Sequence, residues 1–255
     1  MTDLQNTLAK RFKDLHKPGD PVILANVYDG ASAKLIASLP QSKAIATASF
    51  AVAEAAGMSD DTLSREELLR AARNIATSIH PFGKPLTVDA RDGYGEQLAS
   101  TVKELIEIGV VGINLEDFDN DAKKLYTQSE AVDRIKQALQ AAAESGVPEF
   151  VINARCDALL HDGSLDEVIA RGRAYLAAGA TTVFVWGGRP RGITRDEVVK
   201  LVEAFDGRLN VSKTKDGLTP ATLAKIGVAR ISIGPGLQRA ALEKMKEMAE
   251  ELFVS

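Results

Sequence analysis

The sequence contains one cysteine, Cys156, and three scattered histidines, His16, His80 and His161. A single thiol excludes an intrachain disulfide and every CxxC motif. Three separated imidazoles argue against a zinc centre. This cysteine usage suits a reducing compartment, so a cytoplasmic location is expected. No apolar run approaches the ~18 residues of a membrane span. The polar start, with Thr2, Asp3, Gln5, Asn6 and Lys10, does not read as a secretory signal. Instead Leu4, Leu8, Phe12 and Leu15 recur at helical spacing and predict an amphipathic helix. Basic residues do not outnumber acidic ones; 31 against 35 leaves a net charge of −4, so neither nucleic acid nor a membrane surface is an expected partner. No Pro- or Ser-rich linker divides the chain, and residues 1–255 are expected to form one domain.

What is present is a repeating pattern. Short β-branched runs bounded by turn residues fall at 21–27, 43–47, 85–89, 110–115, 149–154, 181–186, 208–211 and 229–233. Most are continuous apolar runs, as in parallel strands buried on both faces. Helical patterns fill the gaps. Ser64 precedes Glu67 by three residues, and Thr127, Ser164 and Thr194 stand in the same relation to Glu130, Glu167 and Glu197. Each pair predicts a capping box. Thr219 followed by Pro220 predicts a further N-cap with proline at the first helical position. Gly109, Gly146, Gly179 and Gly227 each close a helix ahead of a strand. The unit recurs about every 30 residues, the size of a βαβ step. Eight such units predict a (β/α)8 barrel. A doubly wound open sheet is the alternative, but no GxGxxG follows the first strand to favour it. A last helix from Pro235 to Phe253 carries Leu242, Met245, Met248, Ala249 and Leu252 on one face, to pack on the core or on a second subunit.

In such a barrel the chemistry lies where the strands end. The polar residues there are Asn26 with Asp29, Ser49, Asp89 to Asp92, Glu116 with Asp117, Arg155 with Asp157, Trp186, Ser212 with Lys213, and Gly234 with Gly236. Acids end two neighbouring strands. Such a pair can hold Mg²⁺, which takes one or two carboxylates, keeps waters and leaves positions for substrate oxygens. Arg155 adds a planar fork for a carboxylate or phosphate. The set points to a small anionic substrate chelated by Mg²⁺, with ion pairing at the barrel rim as the alternative use of the same acids.

The segments ASFAVAEAAGMSD (48–60), VDARDGYG (88–95), GINLED (112–117), INARCDA (152–158) and GVARISIGP (227–235) resemble the isocitrate lyase/phosphoenolpyruvate mutase superfamily, in the same order along nearly the whole chain. The resemblance implies a (β/α)8 barrel with a helix exchanged between subunits, in a homotetramer built as a dimer of dimers. It also implies Mg²⁺ held at Asp89 and Glu116, partly through water, and Arg155 gripping a substrate carboxylate. Ser49, Phe50 and Ala51 match a turn that receives the other end of an oxo-acid, and Asp60 matches an acid near the reacting centre. The shared chemistry is a pyruvate-like enolate beside a breaking C–C or P–C bond.

Two features depart from that pattern. Where the family often has DxDxGYG, Arg91 takes the second acidic position and Asp92 follows it. Either Arg91 turns away and Asp92 takes over a role beside the metal, or Arg91 faces inward and binds a second carboxylate. The stretch EDFDNDAKKLYTQ after the fourth strand also lacks the Cys and His of the isocitrate and methylisocitrate lyase loop, so both activities are unexpected. Lys123 and Lys124 remain as gate-loop candidates. The reading reached is a Mg²⁺-dependent enzyme cleaving a C–C bond of a small 2-oxo acid, a lyase, decarboxylase or hydrolase. The alternatives are a P–C mutase or hydrolase, a metal-free Schiff-base aldolase using Lys213, and a barrel that only binds a metabolite. Cys156 is expected to pack behind the mouth, without an activating base. Trp186 is a candidate pocket wall, His161 could reach the mouth, and Gly234-Pro235-Gly236 offers helix-start N–H groups to a phosphate or serves as a turn.

Overall fold

The computed structural model describes residues 2–188, 191–214 and 216–254. The chain opens with helix α1 (Thr2–Asp14), the two strand segments β1 (Val22–Leu24) and β2 (Asn26–Val27), and α2 (Gly30–Ser38). Next come β3 (Ile45–Thr47), α3 (Ser49–Ala55), α4 (Arg65–Ile79), β4 (Leu86–Asp89) and α5 (Leu98–Ile108). The middle holds β5 (Gly112–Glu116), the short pair β6 (Phe118–Asp119) and β7 (Lys124–Leu125), α6 (Gln128–Glu144), β8 (Val151–Cys156) and α7 (Leu165–Ala177). The last third runs β9 (Thr182–Val185), α8 (Arg195–Ala204), β10 (Leu209–Ser212), α9 (Pro220–Ile226), β11 (Arg230–Ser232) and α10 (Gly236–Phe253).

Nine parallel segments form one sheet in the order β1-β11-β10-β9-β8-β5-β4-β3-β2. Only Ala25 separates β1 from β2, so the two ends of that order are halves of one strand. The first half pairs with β11 and the second with β3, which closes the sheet as a barrel. All eight predicted strand regions are present, and the (β/α)8 expectation holds. The antiparallel hairpin β6–β7 is an addition that the sequence pattern did not give; its segments are too short to show a period.

The predicted caps are in place. Ser64, Thr127, Ser164 and Thr194 each accept from the backbone N–H three residues on. The reciprocal half of the box forms only at Thr127 and Thr194. In the other two, arginine draws the glutamate away: Glu67 binds Arg70, and Glu167 binds Arg171. The helix-ending glycines have the left-handed backbone expected of them, with φ of 105° at Gly109 and 110° at Gly227.

Two expectations need correction. The strands are not apolar throughout. Thr87, Asn114, Asn153, Thr182, Asn210, Arg230 and Ser232 are all buried. Much of this polarity is satisfied within the barrel: Asn153 donates to Asn114 Oδ1, Thr182 to Asn153 Oδ1, and Arg230 to Asn114 Oδ1. Secondly, the apolar face of α10 does not pack on this chain's core. Leu242, Met245, Met248 and Leu252 are 48%, 64%, 54% and 73% exposed. Among the described residues, no helix is long and apolar enough to cross a membrane.

Helix α1 packs against the N-terminal side of the barrel, where Gln5 donates to the carbonyls of Ile106 and Val110. Its Phe12 is fully buried, and His16 meets that ring edge-on at 4.8 Å. His16 Nδ1 lies 2.9 Å from the Phe12 carbonyl and must donate to it; Nε2 then faces Arg230 as an acceptor, 3.4 Å away. Burial, with the Arg230 charge second, pushes the His16 pKa down to about 3. The folded protein therefore keeps His16 neutral while the unfolded chain takes a proton below pH ~6.5. Stability should fall as pH drops from that value toward 3, with a slope of up to ~1.4 kcal/mol per pH unit. Urea midpoints measured across that range should be flatter for His16→Gln than for wild type. Equal slopes would contradict the buried neutral imidazole.

Candidate active site

The C-terminal strand ends bring together side chains that lie far apart in sequence. Asp89, the last residue of β4, accepts from the Ser49 N–H at 3.1 Å, and its own N–H donates to Thr47 Oγ1 at 2.9 Å. Ser49, Phe50 and Ala51 are the first turn of α3, where a simple turn was expected. The alanine-rich run favours a helix. The Ala48 side chain cannot cap that helix, and of the first-turn N–H groups the Ser49 one is taken by Asp89. Asp60 lies close by in a short 3-10 turn (Asp60–Thr62). Burial and the neighbouring Asp89 push its carboxyl up, against the opposing pull of Ser49, Arg91 and Arg155. Its Oδ1 is buried and has no hydrogen-bond partner among the described residues.

Glu116 and Arg155 occupy paired positions on adjacent strands β5 and β8. Arg155 Nη1 is 3.2 Å from Glu116 Oε2, and its Nε is 2.7 Å from Asp157 Oδ1. The guanidinium carbon lies 5.9 Å from the centre of the Phe184 ring and 5.5 Å from that of the Trp186 ring. Burial opposes the Arg155 charge, but Asp157, Glu116 and Asp89 outweigh it and hold the proton more firmly than usual. Burial pushes the Glu116 carboxyl well above its usual range, against the pull of Arg155. Asp157 is in turn fixed by its N–H, which donates to Asp117 Oδ1; Asp117 Oδ2 accepts from Tyr175 and Arg171 of α7.

Arg91 and Asp92 are each engaged by neighbouring groups of the protein. Arg91 has φ of 55°, which breaks strand alternation after Asp89. Its side chain is buried. Nη1 donates to the Leu63 carbonyl at 3.3 Å and Nη2 to Asn120 Oδ1 at 2.6 Å. Asp92, expected beside the metal, spends its carboxylate elsewhere. It accepts from the N–H groups of Tyr94 and Gly95, from Asn120 Nδ2 and from the Tyr126 hydroxyl. The tight loop Asp92-Gly93-Tyr94-Gly95 turns the carboxylate back on its own backbone, with φ of 80° at Gly93 and 65° at Tyr94.

The remaining candidates are dispersed. Lys213 donates Nζ to the Thr214 carbonyl at 3.1 Å. Cys156 is buried, and burial with Asp117 pushes its thiol well up, so it packs as expected. His161 stacks on Phe118 of the hairpin, ring centroids 4.4 Å apart and 6° from parallel. The N–H groups of Ile233 and Gly234 already donate to Asn26 Oδ1, which favours the turn over the phosphate cradle at Gly234-Pro235-Gly236. Sequence reasoning missed Asn120. It contacts Arg91, Glu116 and Asp92 at once, yet in the sequence it is one polar residue in the run DND.

Among the described residues, no three His, Cys, Asp or Glu side chains form a ready-made metal cage. A cation held here would need water and substrate to complete its shell, which is how Mg²⁺ is commonly bound. The donor chemistry fits such an ion. Asp60, Asp89, Glu116 and Asp157 outnumber the guanidinium groups of Arg91 and Arg155 that act on them, and Asp60 Oδ1 has no hydrogen-bond partner among the described residues.

Known proteins bear on this arrangement. The phosphoenolpyruvate phosphomutase family matches residues 12–253. An uncharacterized protein of Mycobacterium tuberculosis is 32% identical over 230 residues, covering 88% of this chain and 81% of that protein. The 2,3-dimethylmalate lyase of Eubacterium barkeri is 29% identical over 225 residues, covering 84% of this chain and 74% of the lyase. The solved structure of oxaloacetate acetylhydrolase in complex with the product oxalate superposes with a TM-score of 0.85 at 26% identity, covering 97% of this chain and 87% of that one. With the family matched over nearly its full length and on a shared barrel, the chain belongs to the phosphoenolpyruvate mutase/isocitrate lyase superfamily.

Proposed function

We propose that the protein is a Mg²⁺-dependent lyase or hydrolase that cleaves a C–C bond next to the 2-oxo or 2-hydroxy carbon of a small carboxylic acid. The observation that carries this reading is the fixed Arg155 guanidinium, held between Glu116 and Asp157 at the end of β8, with the Asp89 charge acting on it as well. Arg155 binds the substrate carboxylate, while Phe184 and Trp186 wall the pocket and limit water around it. Asp89 and Glu116 would hold Mg²⁺, which when bound supplies stabilisation of negative charge on the oxygen of a pyruvate-like enolate. The first-turn N–H groups of α3 at Phe50 and Ala51 and the Ser49 hydroxyl receive the far end of the substrate. Asp60, whose buried Oδ1 has no hydrogen-bond partner among the described residues, takes up or returns the proton at the reacting carbon or hydroxyl. The thiol acid of the methylisocitrate type has no counterpart, because Cys156 is buried behind the strand end.

C–C cleavage is preferred over P–C chemistry because the connection after β5 carries neither gate sequence and cleavage to an enolate needs fewer specialised groups. The exposed apolar face of α10 supports pairing with another copy of the chain, in an assembly read as a dimer of dimers. The single buried thiol suits a reducing cytoplasm.

A turnover panel of oxaloacetate, substituted malates, phosphonopyruvate and phosphoenolpyruvate, with and without Mg²⁺, tests the reading. C–C cleavage of one of the first two, dependent on Mg²⁺ and lost in a folded Asp89→Ala variant, is the expected result. Interconversion of the phosphorus compounds would move the assignment to P–C chemistry, and a borohydride-trapped adduct at Lys213 would replace it with imine chemistry. For the substrate so found, Arg155→Lys keeps charge but loses the fork, and affinity should fall by ~1–3 kcal/mol. Normal binding by that variant would place the carboxylate clamp elsewhere.

A further inference from the structure

Arg91 follows Asp89 by two residues at the end of β4, and its contacts give it a task of its own. An arginine can only donate, so the Asn120 amide must turn its oxygen toward Arg91 Nη2, 2.6 Å away. Asn120 Nδ2 then faces the opposite way. It donates to Glu116 Oε1 at 2.6 Å and to Asp92 Oδ1 at 3.2 Å. The amide has one orientation available, and that orientation presents N–H to Glu116. Asn120 sits in the connection between β6 and β7. Arg91 Nη1 binds the Leu63 carbonyl, so a single guanidinium also ties the hairpin to the segment that carries Asp60. A second tie, Lys123 to Asp61 at 3.6 Å, is exposed and contributes little.

We propose that Arg91 is a positioning residue: acting through Asn120, it fixes the Glu116 carboxylate and holds the β6–β7 hairpin against the barrel mouth. The Glu116 half rests on the reading of that residue as a Mg²⁺ ligand; the hairpin half stands without it.

The test is a double-mutant cycle on the full chain, read by Mg²⁺ titration calorimetry and by hydrogen exchange of the amides at 118–125 in metal-free protein. Arg91→Ala and Asn120→Ala should each weaken Mg²⁺ binding by about 10- to 100-fold, the range for partners that orient metal ligands. The double variant should lose no more than either single one, because the two side chains act in series. Both single variants should speed exchange in the hairpin by about tenfold, again without addition in the double. Arg91→Gly accompanies Arg91→Ala because glycine accepts the left-handed backbone; a loss common to both belongs to the side chain. Arg91→Gln keeps a donor for Asn120 and should return the hairpin exchange to within about twofold of wild type. Losses that multiply in the double variant, or hairpin exchange unchanged in Arg91→Ala, would overturn the proposal. If wild type bound no Mg²⁺, the metal reading would fall, and the exchange cycle alone would decide the role of Arg91.

Discussion

Removing water from a guanidinium costs several kcal/mol unless carboxylate oxygens replace it. At Arg155 they come from two directions, Glu116 on the neighbouring strand and Asp157 two residues on. Taking away one partner of such a buried pair costs about 3–5 kcal/mol, because the other charge is left stranded. That requirement sets the geometry around it. Glu116 and Arg155 meet because β5 and β8 run in parallel register. Asp157 stays in place because Asp117 receives its N–H and is itself held by Tyr175 and Arg171. A cation fixed in this way would give an entering carboxylate one orientation, as the proposed carbon–carbon cleavage beside that carboxylate requires.

The second constraint is the surplus of acid on the other side of the mouth. Burial and the neighbouring Asp89 push the Asp60 carboxyl up, and Glu116 is pushed up by burial. Left alone, such a group would hold protons; a divalent cation with substrate oxygens would resolve the conflict. In this chain part of the surplus is met by Arg91, which belongs to a bonded set with Asn120, Asp92 and the hairpin. Glu116 and the β6–β7 hairpin are therefore linked to Arg91 through one asparagine.

The fold was legible because its signals are local. Caps, helix-ending glycines and β-branched runs each act within a few residues, and they recur with the barrel's period. Arg155, Glu116 and Asp89 were legible for a related reason: strand ends can be counted, and strand ends face the mouth. What escaped depends on backbone detail that counting does not reach. Arg91 could not be placed because a positive φ ends the alternation that would have aimed it. Asp92 was expected at the metal because only its position was visible, not the glycine-rich loop that folds its carboxylate back onto Tyr94 and Gly95. Asn120 lies in a hairpin too short for any periodicity. The barrel's interior amides escaped as well, since an Asn in a strand shows its partner only once Arg230 and Asn114 are brought together across the sheet.

Oxalate is a small planar dianion with the shape and charge of a pyruvate enolate, so its binding reports on both halves of the site at once. The most direct measurement is calorimetric titration of oxalate into the protein with and without Mg²⁺. The account predicts tight binding only when Mg²⁺ is present, and its loss in both Asp89→Ala and Arg155→Ala. Oxalate binding that is equally strong without Mg²⁺, or that survives Arg155→Ala unchanged, would contradict it.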